Sequence, residues 1–172
     1  MGIKNLTEAE EKEFYRLVEK MNGKEPEKKQ DVKVKKPEIG TRYFYLDSVG
    51  DIVNAVWDDD EYDNARWDLG KVFLTEKEIV FAIEKRKVEV ELERYAKEHN
   101  DPERDVWNGF NERCGIRYDC LRGDLDTSTM YQFRDIGAIY FTSKEIAEDA
   151  ANKVGAKRIM KYLFDVDCEV DE

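Results

Sequence analysis

Apolar positions recur in two different periods along this chain, and the changes of period mark its elements. Over 5–22, Phe14, Leu17, Val18 and Met21 fall at i, i+3, i+4 and i+7, the single stripe of a helix. Thr7 followed by Glu10 gives a capping-box spacing at its start, Leu6 stands where a hydrophobic staple would, and Gly23 stops it. The pattern then lapses. Residues 24–38 are lysine-rich, carry Pro26 and Pro37, and hold too few apolar groups to offset their ordering entropy, which reads as a solvated linker.

Period two follows. The runs 43–46 and 52–57 are rich in aromatic and β-branched residues, and the turn cluster "DSVGD" between them predicts a β-hairpin. The acidic run that begins at Asp58 ends the second strand. A short strand is expected at 72–74, and Thr75 with Glu78 caps a helix over 76–98. Ile79, Ile83 and Val90 lie on one face of that helix, with Phe81, Val88, Leu92 and Tyr95 on an adjacent one, so it should pack against more than one neighbour. Asn100, Asp101 and Pro102 terminate it. A second hairpin is expected from strands near 115–121 and 129–133 joined by "RGDLD". A helix then runs to about 153 and breaks at Gly155; a last short helix turns Ile159, Met160, Leu163 and Phe164 inward.

Two decamers tie these pieces together. "GKVFLTEKEI" at 70–79 returns as "GAIYFTSKEI" at 137–146, sharing Gly, Thr, Lys, Glu and Ile and exchanging Val for Ile and Phe for Tyr. Each block reads as a strand-to-helix corner: glycine turns the chain, a β-branched and aromatic pair forms the strand, and threonine caps the helix. Thr142 and Glu145 then take the places of Thr75 and Glu78. Each corner follows a hairpin, so the expected fold is α+β. It has two pseudo-repeated hairpin–strand–helix units, about 40–100 and 113–164, packed as one domain over 40–164. An N-terminal helix (1–23) and a charged linker (24–39) precede that domain, and an acidic tail (165–172) follows it.

Charge changes the picture of partners. Forty acidic residues against 29 basic ones give the 172-residue chain a net charge of −11, which repels phosphate and argues against direct binding to DNA or RNA. A basic surface, such as a protein that itself grips nucleic acid, is the natural charged partner. Three cysteines, Cys114, Cys120 and Cys168, make no disulfide framework. With no signal-like or membrane-length apolar run, the expectation is a reduced protein of the bacterial host cytosol.

The stretch 42–95 resembles a pattern shared by many small phage and prophage proteins. That pattern has a hairpin with a glycine turn, a tryptophan closing its second strand, then Asp…Arg…Gly-Asn-Val-Phe-x-Thr-x-Glu-Glu-Ala before a long charged helix. Trp57, Asp63, Arg66, Gly70, Val72, Phe73, Thr75 and Glu78 match it; Lys71 and Ile79 depart from it. The resemblance implies a mobile-element origin and transfers no catalytic residue. Small acidic phage proteins include inhibitors of bacterial immunity, among them anti-CRISPR proteins that act as DNA mimics.

Candidate chemistry is sparse. His99, the single histidine, sits at a charged helix end with no carboxylate assigned to it by the sequence. Cys114 and Cys120 fit no common zinc spacing, and the acidic run lacks the spaced oxygens and central glycine of a calcium loop. There is no phosphate loop, dinucleotide fingerprint or nucleophile elbow. No metal, cofactor or enzymatic activity is therefore expected. The leading expectation is a non-enzymatic inhibitor of a basic, nucleic-acid-processing host protein, a CRISPR or other immune effector. Its contact would be Asp58, Asp59, Asp60, Glu61 and Asp63 with Trp57 and Trp67. The alternative is a sponge for a small immune-signalling nucleotide, held by the aromatic-rich hairpins, near which Arg42, Arg66, Arg117 and Arg134 are the available arginines.

Overall fold

A computed structural model describes residues 7–21, 34–130 and 132–168; of 8 and 19–21 it describes the backbone alone. The expected staple at Leu6, the place of Met21 in the stripe, the stop at Gly23, linker residues 24–33 and tail residues 169–172 lie outside that description.

The chain divides into two compact units, Met1–Pro37 and Glu38–Glu172. The first contains helix α1, Glu8–Met21. Its start is closed by Glu10, whose carboxylate accepts from the Thr7 amide at 2.8 Å and the Thr7 hydroxyl at 2.7 Å. Those bonds hold the Glu10 pKa below the ordinary glutamate value. Phe14, Leu17 and Val18 form the expected stripe and are all exposed.

The second unit is the α+β domain. Strands β1 (Arg42–Leu46) and β2 (Ile52–Val56) pair antiparallel as the first hairpin. Asp47 folds its turn by accepting from the Val49 and Asp51 amides, both at 2.9 Å, and Gly50 takes a φ of 94° there. Helices α2 (Glu61–Asp68) and α3 (Glu76–His99) follow. Strands β3 (Arg113–Asp119), β4 (Asp124–Met130) and β5 (Tyr140–Phe141) make a second antiparallel sheet in the order β4-β3-β5. Helices α4 (Lys144–Val154) and α5 (Ala156–Phe164) complete the unit, with Gly155 at φ 100° between them. The core lies where α3 meets α4, α5 and the second sheet: Val88, Leu92, Cys114, Phe141, Ala150 and Ile159 are buried there.

Several expectations need correcting. Helix α2 was not foreseen. The strand at 72–74 reduces to one antiparallel bridge between Phe73 and Phe44. The second hairpin turns early, at 120–123, so that Asp124 and Asp126 of "RGDLD" belong to β4, which ends at Met130. Phe164 stays on the surface of α5.

The repeated corners share a topology but not a frame. Gly70 and Gly137 both adopt positive φ, 65° and 74°, which favours glycine. Beyond them the short strand pairs with the first strand of its own hairpin: Phe73 with Phe44, and Phe141 with Cys114. Thr75 caps α3 in a complete capping box with Glu78. The cap of α4, however, is Ser143, whose hydroxyl accepts from the Ile146 amide at 3.3 Å. Thr142 is instead fully buried and its hydroxyl accepts from the Asp101 amide at 2.9 Å. The sequence match is therefore one residue out of step with the structural one past the glycine, because 137–141 uses one residue more than 70–73 to reach the bridging phenylalanine.

Candidate functional site

The acidic run builds a corner at the start of α2. Asp60 is the N-cap and accepts from the Asp63 amide at 2.8 Å; Asp59 enters the left-handed region at φ 60°, where the Asn64 side-chain amide holds its carbonyl oxygen at 3.0 Å. Asp63 turns inward. It accepts from Tyr43 Oη at 2.5 Å and from the Asp58 amide at 2.7 Å. Arg66 Nη1 lies 3.5 Å from the same carboxylate and donates to Tyr43 Oη at 2.7 Å, while its guanidinium stacks 3.9 Å from the Tyr45 ring. Burial pushes the Asp63 carboxyl up, but the Tyr43 and Asp58 hydrogen bonds and the Arg66 charge outweigh it, leaving its pKa below the ordinary aspartate value. Burial, then the bond to Asp63, pushes the Tyr43 phenol up to about 12.

The seven residues singled out from the sequence therefore separate. Trp57 is 1% exposed and edge-on to both Tyr43 and Trp67; with Asp63 it belongs to the interior. Trp67 is half-buried. Asp58, Asp59, Asp60 and Glu61 alone face solvent. The corner offers a partner exposed carboxylates beside the exposed ring of Tyr62, not beside Trp57 or Trp67 as expected.

A second gathering of charge has the opposite sign. Arg86, Arg94 and Lys97 recur on α3 within an arc of roughly 80° at 100° per residue. They face Trp107, Arg134 and Tyr140 across a cleft of about 720 Å³. Arg86 is engaged by Glu89 and Glu93, at 3.0 and 3.1 Å. Among the described residues no ion pair engages Arg94, Lys97 or Arg134. The Arg134 guanidinium stands 5.3 Å from the Trp107 ring centroid, and Tyr140 meets that ring edge-on at 5.0 Å. Behind it, Arg113 is 1% exposed, 5.4 Å from the same ring, with Asp105 at 3.0 Å as its counter-charge. That contact lacks hydrogen-bond alignment, and none of the three Arg113 guanidinium nitrogens has a hydrogen-bond partner among the described residues.

The cleft is held open by local bonds. Asn100, the C-cap of α3, donates to the Tyr140 carbonyl at 3.0 Å and accepts from the Thr142 amide at 3.0 Å, which pins β5 to the helix end. Asn111 donates to the Arg104 and Val106 carbonyls and fixes the loop carrying Trp107. Of the arginines weighed from the sequence, only Arg134 lines this cleft. The periodicity of Arg86, Arg94 and Lys97 was the available signal, and it was hidden among the acids that alternate with them.

The remaining candidates are placed as follows. His99 stacks on Tyr95 at 3.9 Å with its Nδ1 3.0 Å from the Tyr95 carbonyl oxygen, and Asp149 accepts from Tyr95 Oη. Asp149 and His99 are both exposed, and neither lines a cavity described here. Cys114 is buried and burial pushes its thiol pKa up; Cys120 is exposed. No group of three or more metal-ligating side chains forms among the described residues, and no helix there is long and apolar enough to cross a membrane. No protein-family model, curated protein or solved structure matches this chain.

Proposed function

We propose that this chain is a non-enzymatic binding protein for a small anion that carries a flat ring, the chemistry of a nucleotide, taken up in the cleft between α3 and Trp107. One observation carries the reading: Arg94, Lys97 and Arg134 line one cleft with the Trp107 indole and make no ion pair among the described residues, while the two carboxylates of that cleft, Glu93 and Asp105, are engaged by Arg86 and Arg113, in a chain whose net charge is −11. Like charges repel, and an anion that joins the cluster relieves that repulsion. Stacking of a base on an aromatic ring contributes about 1–3 kcal/mol, and the cleft volume falls in the range of roughly 300–1,000 Å³ usual for small-ligand sites. The acidic remainder of the surface weakens long-range attraction, but screening over about 8 Å at physiological salt leaves the local cations dominant inside the cleft.

Thermal-shift titration with mono-, di- and cyclic nucleotides is the direct test. A ligand bound only by the folded form raises the melting temperature with its concentration. Trp107→Ala should abolish the shift and Arg94→Ala should reduce it. No shift with any nucleotide at millimolar concentration rejects the reading.

A second reading is favoured by the exposed carboxylates of Asp58, Asp59, Asp60 and Glu61, held on a capped corner. They suit a basic, nucleic-acid-processing partner protein that this chain would inhibit by occupying its nucleic-acid surface. Retention of such a protein on immobilised chain at low salt, lost on Asp59→Asn with Glu61→Gln, supports it. Retention unchanged by both substitutions removes it.

A further inference from the structure

The wall 137–140 that closes the basic cleft has a second cavity on its other side, of about 440 Å³. Helix α3 contributes to both. Arg86, Val90 and Lys97 face the basic cleft, whereas Lys85, Glu89 and Leu92, at i, i+4 and i+7, face this one. Its other sides are Ile116 of β3, Phe141 of β5 and Leu163 of α5. The pocket is open and its lining is mixed: Lys85, Glu89, Arg117 and Asp135 carry charge, while Leu92, Ile116, Phe141, Ile159 and Leu163 offer apolar surface whose burial under an apolar guest is favourable.

The charges at its mouth limit the guest further. Arg117 pairs with Asp135 at 3.7 Å, and Glu89 pairs with Arg86 at 3.0 Å. Lys85 has no ion pair among the described residues. One unengaged cation therefore stands beside one apolar hollow.

We propose that this cavity binds a single amphiphile with an apolar body and one anionic head, the body between β3 and α5 and the head at Lys85. The inference is independent of the ring-binding cleft, because the two cavities share the 137–140 wall but draw on different faces of α3.

Isothermal titration calorimetry of the full chain with decanoate, decanol and decyltrimethylammonium, each below its micelle concentration, tests it. Decanoate should bind one per chain and at least about tenfold more tightly than the cationic amphiphile. Octanoate, two methylenes shorter, should bind roughly fifteenfold more weakly. Leu163→Trp, which fills the hollow, should abolish binding. Lys85→Glu, a surface change that spares the core, should reverse the preference between anionic and cationic heads. Binding of many chains per molecule overturns the proposal, as does decanoate binding indifferent to Lys85→Glu. Decanoate affinity lost in Arg94→Ala also overturns it, by assigning the amphiphile to the basic cleft.

Discussion

The acidic corner and the basic cleft each gather like charges into a small volume, and they resolve the repulsion in opposite ways. At the corner the carboxylates are used by the fold: Asp60 caps a helix, and Asp63 accepts from Tyr43 and the Asp58 amide beside Arg66. In the cleft Arg94, Lys97 and Arg134 make no ion pair among the described residues. A run such as "DDDEYD" draws attention in the sequence, yet its most constrained member is a structural group. Cations spread over forty residues and interleaved with acids draw none, and they remain available to a ligand.

The largest effect that sharpens this contrast lies at Asp63. Asp63→Leu takes the acceptor from the buried Tyr43 hydroxyl and the Asp58 amide and the carboxylate from the half-buried Arg66, and donors left unsatisfied in this way should cost about 3 kcal/mol together. Urea unfolding should show that loss, and the melting temperature should fall by roughly 10 °C or more. Asp59→Asn, on the exposed side of the same corner, should stay within about 0.5 kcal/mol of the parent. Equal effects at both positions would erase the distinction between interior and surface carboxylates.

Proton linkage gives a second probe of the corner. The Tyr43 pKa is raised to about 12, so its phenol stays protonated in the fold at pH values where the unfolded tyrosine ionises. Its contribution is fully present below the ordinary tyrosine value near 10 and is lost as pH rises through about 12. Asp63, depressed, works the other way: its contribution is present above the ordinary aspartate value and is lost as pH falls through the depressed one. Tyr43→Phe should flatten the alkaline limb of stability against pH between about 10 and 12. An unchanged limb would mean that the Tyr43–Asp63 bond does not govern the corner.

Much of the fold was legible because its signals are local. The first hairpin, α3 with its Thr75 cap and Asn100 stop, and the break at Gly155 each follow from neighbouring residues. Helix α2 was missed although Asp60 and Asp63 have N-cap and N3 spacing, since repelling acids were read as a turn. The cleft was illegible for a different reason. Lys97, Trp107 and Arg134 meet only through the tertiary fold, with Arg134 on the connection between β4 and β5, and no periodicity spans that distance. The one-residue slip at Thr142 is of the same kind: Asp101, 41 residues earlier, claims the hydroxyl that local spacing assigned to a helix cap. Ser143→Ala should therefore cost about 1 kcal/mol, as a cap does, and Thr142→Val about 1–3 kcal/mol by leaving the Asp101 amide without its acceptor. Chemical denaturation separates the two assignments, because a silent Ser143→Ala would restore Thr142 as the cap.

The smallest expected change in stability is the most informative about the cleft. Arg94→Ala combined with Lys97→Ala removes two exposed cations that make no ion pair among the described residues, so no buried partner is left unsatisfied. The loss of their side-chain packing is offset by the relief of like-charge repulsion, and stability should remain within about 0.5 kcal/mol of the parent. Ligand affinity should behave differently. Two charge-assisted contacts to an anion, each worth roughly 1.5–3 kcal/mol, should vanish together and weaken binding by at least about a hundredfold. The remaining affinity should also become less sensitive to salt, since fewer fixed charges take part. A double variant that unfolds easily would show that these cations serve the fold after all, and the cleft would then be another acidic corner with its signs reversed.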